Sequence, residues 1–293
     1  MSTEIIFMFV AVFLLGTSIG SFLNVVSLRF GVSSFVTGSS ECPKCKKGLR
    51  WIELIPVLSF IFLKGQCRGC GLKISWQYPL VEVATGVLFL LLFLFQKSAF
   101  QIDYLHQMIS VDFILTTILL WISWSFLIVI FIYDLYHKII PDRLVFLFTI
   151  FSLFIFATPL FIESEFLFQG SFVDIMAGPL MFFFFFFFWF ISGGRWMGLG
   201  DAKLALGLGF LLGFVQGISA LVLSFWIGAF IALLILLFIR LQVMFGVDKQ
   251  LPEQQKRLTI KSEIPFAPFL ILGALTAYFF SLDLMNLSIL FGA

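Results

Sequence analysis

The chain has 293 residues, of which 61% are hydrophobic and only 12% are charged, and its mean hydropathy is +1.12. This composition excludes a soluble globular protein and predicts an integral membrane protein in contact with membrane lipid. The formal net charge of +2 gives no indication of a nucleic-acid partner.

Apolar stretches long enough to span a bilayer as helices recur along the chain. The first lacks a basic preceding region and a small-residue cleavage site, so we expect a retained anchor. The phenylalanine run at 182–188 is expected to face lipid and to fill helix contacts. The pattern predicts an all-α polytopic membrane protein with about eight transmembrane helices, at approximately 4–27, 79–95, 112–135, 142–162, 174–192, 202–216, 218–240 and 264–281.

The lysine and arginine residues are distributed unevenly among the predicted loops. The loops at 28–78, 136–143, 193–203 and 240–263 hold 17 of the 18, and Lys97 is the exception. Because basic residues near helix ends stay in the cytoplasm, these loops are predicted to be cytoplasmic and the N-terminus to lie outside.

One loop, at 28–78, is polar and long enough to form a small domain. We therefore divide the chain into a first transmembrane helix at 1–27, a cytoplasmic tetracysteine domain at 28–78 and a transmembrane core at 79–293. The loop holds every cysteine of the chain, in two CxxC pairs separated by 21 residues: Cys42 and Cys45, then Cys67 and Cys70.

Paired CxxC turns can bind zinc through four thiolates, and four thiolates leave no open coordination position for catalysis. We predict structural zinc in a zinc-ribbon-like loop domain. Disulfides or free thiols are the alternative, and a reducing cytoplasm disfavours disulfides.

Three acidic residues lie at predicted cytoplasmic helix ends. A charge beside hydrocarbon costs about 2.5–3.5 kcal/mol, so each is a candidate for function. Asp134 ends the third predicted helix, Asp142 begins the fourth, and Asp201 lies in the Gly-rich turn before the sixth.

Residues four apart share a helix face, and small residues on that face permit close packing. Asp201 is expected to point into the bundle because its face continues with Ala205, Gly209, Gly213 and Gly217.

The predicted topology puts Asp134 and Asp201 at the same membrane face, so they could meet although 67 positions separate them. Two close carboxyl groups share a proton, and such a pair can activate water and polarise a peptide carbonyl. From the residues alone, the alternative is that each acid caps a helix or extends to the lipid headgroups. For Asp142 we predict capping.

The remaining polar residues have simpler predicted roles. Glu82 and Glu263 are interpreted as N-terminal helix signals, with substrate contact as the alternative. Asn24 is expected to form a hydrogen bond to a neighbouring helix. Lys203 is expected to extend to the headgroups rather than to pair with Asp201.

Taken in chain order, six motifs resemble those of the prepilin peptidases, the type IV leader peptidase family of GxGD-type membrane aspartyl proteases. They are GSFLNVV at 20–26, the double CxxC loop, YPLVE at 78–82, Asp134 with IPD at 140–142, GLGDAKL at 198–204 and IPFAPF at 264–269.

The resemblance implies an aspartyl protease core in the bacterial inner membrane, with Asp134 and Asp201 as its catalytic pair. It implies that the leader peptides of type IV prepilins or type II secretion pseudopilins are cut on the cytoplasmic side. Relatives with the double CxxC loop often also methylate the new N-terminus with S-adenosylmethionine, but no motif of this chain identifies that site. Ala267 stands where many relatives carry glycine, and this departure is not expected to touch the acids.

Two other functions stay open at this stage. One is a methyltransferase-only enzyme whose acids are structural. The other is a non-enzymatic assembly or transport component that uses the acids as a proton relay.

Overall fold

A computed structural model describes residues 3–31, 41–42, 44–100, 110–161, 172–244 and 265–284. These described residues form helices. Two isolated β-bridges lie beside the cysteines, and the described residues contain no β-strand. The elements are α1 (Thr3–Arg29), a short 3-10 helix (Trp51–Leu54), α2 (Leu58–Phe62), α3 (Gln77–Ala99), α4 (Val111–His137), α5 (Asp142–Phe161), α6 (Phe172–Ser192), α7 (Leu199–Met244) and α8 (Ala267–Phe280).

Most of these helices are apolar along their whole length, as the sequence predicts. A helix of about 20 residues covers the roughly 30 Å of a bilayer core. Within the described residues, five stretches are long and apolar enough to cross a membrane: Ile5–Arg29, Gln77–Ala99, Val111–His137, Val173–Ser192 and Leu199–Phe238. The prediction of an all-α polytopic membrane protein is confirmed.

Helix α7 contains a reversal at Gly213. This residue has φ 74° and ψ −175°, a conformation that glycine adopts without steric cost. A Cβ atom on Gly217 would lie 4.0 Å from the Cα atom of Gly209, whereas eight residues of straight helix span about 12 Å. The chain therefore doubles back, and α7 consists of two helices, at 199–212 and 214–244.

The two halves of α7 correspond to two of the eight predicted helices, but the sequence analysis placed the turn near residue 217. Residues 204–215 are all apolar or glycine, and the nearest polar residue, Gln216, lies beside the predicted turn rather than at Gly213. Asp174 in the first turn of α6 caps the second half, because its Oδ1 atom accepts a hydrogen bond of 2.9 Å from the Phe214 amide.

The chain forms two compact units. The first comprises 1–132 with 157–167, and the second comprises 133–156 with 168–293. In the first unit α1 packs closely on α3, and a Cβ atom on Gly16 would lie 2.8 Å from the Cα atom of Gly86. The core of this unit is apolar, with Val12, Phe89, Phe93 and Phe113 buried together.

In the second unit α6 and α8 both pack against α7. The closest approach is between α6 and α7, where a Cβ atom on Gly209 would lie 2.5 Å from the Cα atom of Gly178. The phenylalanine run has both expected roles. Phe185 is fully buried, whereas Phe183 and Phe187 are more than half exposed on the outward face.

Candidate active site and tetracysteine module

The second unit brings together the two acids that the sequence analysis paired. Asp134 lies near the end of α4 and Asp201 in the first turn of α7. Their exposed fractions are 4% and 7%, and the two carboxyl groups interact electrostatically. Two like-charged groups in a buried setting form an arrangement that is unfavourable for structure alone and common at catalytic sites.

Backbone amides hold each acid in place. The Gly198 amide donates a hydrogen bond of 3.2 Å to Asp201 Oδ2, and the Asp201 amide donates one of 3.2 Å to the Gly198 carbonyl. The backbone amide of Ala267 lies close to Asp134 and interacts with its carboxyl group. Asp134 Oδ2 is buried and has no hydrogen-bond partner among the described residues. Buried polar atoms are almost always paired, so this oxygen is a candidate contact for a substrate or a reacting water.

The contact from Ala267 corrects the expectation that this position does not touch the acids. Ala267 is the first residue of α8, and the first amides of a helix lack partners within the helix. They also favour nearby negative charge. Every residue except proline offers the same amide, so the side chain at position 267 carried no signal of this contact.

Lys203 binds Asp142, which corrects the expectation that Lys203 extends to the headgroups. Its Nζ atom lies 2.7 Å from Asp142 Oδ1. Asp142 begins α5 as predicted, but its side chain makes this ion pair across 61 positions of sequence. Beside it, a Cβ atom on Gly200 would lie only 2.9 Å from the Cβ atom of Ile140. The IPD segment therefore packs directly on the Gly-rich turn that holds Asp201.

Two other predicted residues lie where α1 and α3 meet. Asn24 is fully buried and donates a hydrogen bond of 3.3 Å to the Tyr78 carbonyl, which confirms the predicted contact between helices. Glu82 is not in the first turn of α3, because that helix begins at Gln77. Its Oε2 atom instead accepts a hydrogen bond of 2.7 Å from the Val57 amide. Glu263 lies outside the described residues.

The tetracysteine module, defined here as residues 41–42 and 44–76, contains two equivalent turns. In the first, the Cys42 amide bonds to the Lys47 carbonyl at 3.1 Å and the Lys46 amide to the Cys42 carbonyl at 2.9 Å. The second repeats both bonds 25 positions later, from Cys67 to Leu72 and from Gly71 to Cys67. A β-bridge closes each turn, Glu41 with Gly48 and Gln66 with Lys73. The module thus presents each CxxC pair on the same backbone frame.

The four cysteines converge on one point. They are Cys42, Cys45, Cys67 and Cys70; all are free thiols, and their Sγ atoms lie within 4.8 Å of one another. The Sγ atoms of Cys42 and Cys70 are 3.7 Å apart, close to the roughly 3.8 Å edge of a tetrahedron with zinc–sulfur bonds of about 2.3 Å. Amides of Cys45 and Lys44 lower the pKa of Cys42 to about 6, whereas burial and the neighbouring thiols raise the pKa of Cys70 to about 11. The four thiols therefore ionise unequally without a metal ion, and a bound metal ion favours the thiolate form of all four. The cluster can bind a metal ion such as zinc.

The fold and the site define a polytopic membrane protein with paired buried acids and a tetracysteine module. Two family models match this chain. One describes the bacterial peptidase A24 N-terminal domain and matches residues 14–96; the other describes the type IV leader peptidase family and matches residues 119–233. The chain is therefore similar to the type IV leader peptidase family over most of its length, and it is a multi-pass membrane protein.

Relatives named prepilin leader peptidase/N-methyltransferase are similar to this chain. The protein from Myxococcus xanthus is 52% identical over 81 residues, which are 27% of this chain and 24% of that protein. The protein from Bacillus subtilis is 29% identical over 269 residues, 92% of each chain. The protein from Dichelobacter nodosus is 34% identical over 57% of this chain and 52% of that protein. No solved structure matches the chain significantly.

Proposed function

We propose that this chain is an aspartyl endopeptidase that removes the leader peptide of type IV prepilins or type II secretion pseudopilins and N-methylates the new N-terminus. The observation that carries the proposal is the electrostatic interaction between two buried acids, Asp134 and Asp201. The substrate and the second activity are supported by the names of the similar proteins from three bacteria.

Peptide hydrolysis by two carboxyl groups requires one ionised and one protonated member. The ionised member removes a proton from a water, which attacks the scissile carbonyl carbon while the protonated member donates a hydrogen bond to the carbonyl oxygen. A proton then passes to the leaving amine as the C–N bond breaks, which leaves a leader carboxylate and a new N-terminal amine. The buried Asp134 Oδ2 is a suitable acceptor for such a water. Asp134 and Asp201 titrate as one unit and share these roles.

The charge distribution supports cleavage at the cytoplasmic membrane face with the N-terminus outside. Seventeen of the 18 basic residues fall in the four loops assigned to the cytoplasm, which include the segments that follow Asp134 and precede Asp201. Basic residues close to helix ends are retained on that side. A leader peptide would therefore be cut where it still contacts water and headgroups.

The test is co-expression of the full chain with a prepilin, followed by electrophoresis and mass spectrometry of the pilin. Asp134→Asn and Asp201→Asn are expected to reduce leader removal by at least about 10²–10⁴-fold, the usual contribution of an acid–base group. Asp112→Asn, in the first turn of the same helix as Asp134, is the matched control and should cleave normally. Cleavage that persists in either active-site variant would refute the assignment.

The proposed methylation uses S-adenosylmethionine as the methyl donor. When bound, this molecule supplies an electrophilic methyl group on a sulfonium sulfur. The expected product is a pilin whose mature N-terminal residue carries one methyl group, detected by mass spectrometry with isotopically labelled donor. Correct cleavage with an unmethylated N-terminus would contradict this half of the proposal and leave the peptidase half intact.

We assign the metal site a structural role. Four thiolates, from Cys42, Cys45, Cys67 and Cys70, would fill a tetrahedral zinc ion and leave no position for a reacting water. Closure of two turns around one ion would order a module that has few buried apolar residues of its own. Its residues 51–54 form the short 3-10 helix and contain no buried side chain.

A further inference from the structure

The first unit contains a cavity of about 430 Å³ that has no role in peptide cleavage as proposed above. Its walls come from the C-terminal end of α1, the tetracysteine module and the first turns of α3. Small-molecule sites usually occupy about 300–1,000 Å³ and combine apolar walls with a few polar groups. This cavity has that character, since it has apolar walls and its charged lining residues are Arg29, Glu41, Glu53, Arg68, Lys73 and Glu82.

Glu82 is the unusual member of this set. Only 6% of its surface is exposed, and its Oε2 atom accepts the 2.7 Å hydrogen bond from the Val57 amide. Glu82 forms no ion pair among the described residues: the recorded pair joins Lys203 to Asp142, so no lysine or arginine lies within 4.0 Å of the Glu82 carboxylate. A buried carboxylate without a cation is costly, and proteins normally pair such groups. The cavity beside Glu82 is therefore suited to a ligand that brings a positive charge.

The backbone next to Glu82 is also strained. Val57 has φ 61° and ψ −50°, and a positive φ is a rare outlier for a β-branched residue. Strain of this kind persists where the surrounding contacts impose it, and it is concentrated at ligand sites. The hydrogen bond to Glu82 is such a contact. It fixes the carboxylate at the cavity wall.

We infer that this cavity binds S-adenosylmethionine and that Glu82 is the counterion of its sulfonium group. The inference rests on the N-methylation proposed above and names the site of that activity. Arg68 and Lys73, which also line the cavity, suit the carboxylate at the other end of the donor. The chemical class that the cavity selects is an organic cation with a polar, partly anionic tail.

The reaction gives this assignment a specific consequence. Methyl transfer breaks the bond between the sulfonium sulfur and the methyl carbon, and the electron pair of that bond stays on sulfur. The lone pair of the N-terminal amine forms the new N–C bond, and the amine nitrogen then loses a proton. The product, S-adenosylhomocysteine, is neutral at sulfur. A carboxylate that acts as counterion therefore favours the donor over the product.

The experiment measures binding of labelled S-adenosylmethionine and of S-adenosylhomocysteine to the purified, zinc-loaded full chain by equilibrium dialysis. Glu82→Gln keeps an oxygen that can accept the Val57 amide but removes the charge. It is expected to weaken donor binding by at least about tenfold, as for loss of one buried ionic partner, and to leave product binding within about twofold. Glu82→Asp, which restores the charge, should recover part of the preference for the donor.

Glu53→Gln is the matched control. Glu53 also lines the cavity, but it is half-exposed and its Oε2 atom is bound to the Arg50 amide at 2.9 Å. A half-exposed charge is screened by the surrounding solution. This variant should therefore leave the ratio of donor affinity to product affinity unchanged. Zinc content shows whether each variant keeps its module.

Three results would overturn the inference. Equal weakening of donor and product in Glu82→Gln would give Glu82 a purely structural role, and unchanged binding of both would give it none at this site. Absence of donor binding by the wild-type chain would remove the site itself. That last result would also contradict the proposed methylation, but prepilin cleavage measured on the same preparation reports separately on the peptidase.

Discussion

Lys203 and Asp142 form an ion pair, with Nζ 2.7 Å from Oδ1, that joins the two segments carrying the buried acids. Asp142 lies eight residues after Asp134, and Lys203 lies two residues after Asp201. The pair is substantially exposed, with 38% and 72% of the side-chain surfaces accessible. Exposed ion pairs contribute about 0–1 kcal/mol to stability, so we expect this pair to matter more for the position of the acids than for the stability of the fold.

The first prediction concerns this pair. Asp142→Asn and Lys203→Met should each lower kcat for leader removal by about ten- to a hundredfold, because small misplacements of reacting groups are costly. The thermal transition should move little. The exchanged variant, Asp142→Lys with Lys203→Asp, should recover part of kcat. Peptide cleavage kinetics and thermal unfolding in detergent provide the measurements.

Lys64→Met, which removes an exposed lysine from the tetracysteine module, is the control for loss of a positive charge. Two outcomes contradict a positioning role: unchanged kcat in both single variants, or no recovery in the exchanged variant when it is folded.

The second prediction concerns the contact between Gly200 and Ile140. Gly200→Ala would place a Cβ atom 2.9 Å from the Ile140 Cβ atom, which forces the turn before Asp201 to shift. We expect at least about a tenfold loss of cleavage. Ile140→Gly in the same chain should restore activity because it removes the opposing atom, whereas Ile140→Ala retains that atom and should not.

Gly48→Ala is the neutral control for the second prediction, since nothing lies within 4 Å of the added atom. Full activity in Gly200→Ala alone would show that the close contact does not position Asp201.

The sequence predicted the helices well because lipid imposes one physical requirement, a continuous apolar stretch, on nearly all of them. The same uniformity concealed the reversal at Gly213, which only its backbone conformation reveals. The cysteine cluster was also predictable, since two CxxC turns have few other uses in the reducing compartment that the predicted topology gives to this loop. Its zinc content and its domain boundaries stay predictions.

The contacts that complete the site were not predictable from spacing. Lys203 meets Asp142 across 61 positions, and Glu82 meets the Val57 amide across 25. The amide of Ala267 carries no side-chain signature at all. Each depends on how helix ends pack in three dimensions, and a single sequence records helix faces without recording which ends adjoin. The catalytic roles of Asp134 and Asp201 stay predictions until cleavage is measured.

The third prediction concerns the metal. Purified protein should contain about one equivalent of zinc under reducing conditions, and a chelator should remove it and expose the tetracysteine module to protease because metal binding supplies much of its folding energy. Cys67→Ser should lose the metal, since it removes one of four converging thiols. Ser59→Ala, outside the cluster, should keep it. If zinc-free protein resists protease as well as zinc-bound protein does, a structural role for the metal is ruled out.

The fourth prediction concerns the packing of α6 on α7. Gly209→Ala would place a Cβ atom 2.5 Å from the backbone Cα atom of Gly178, and no side-chain movement can relieve that clash. Overpacking typically costs about 1–3 kcal/mol, so we expect a clear decrease in the thermal transition in detergent. Gly217→Ala is the matched control on the same helix hairpin, because its nearest neighbour is the flexible end of Met181 at 3.0 Å.

Because Asp201 lies in the first turn of the same helix, the displacement caused by Gly209→Ala should reach the acid pair. It should lower cleavage at temperatures where the protein is still folded. If the close contact between Gly209 and Gly178 serves stability alone, Gly209→Ala would reduce stability but leave kcat normal below the thermal transition. Cleavage assays at several temperatures below each variant's own transition separate the two cases. Equal stability of the Gly209→Ala and Gly217→Ala variants would show that α6 and α7 do not need this close approach.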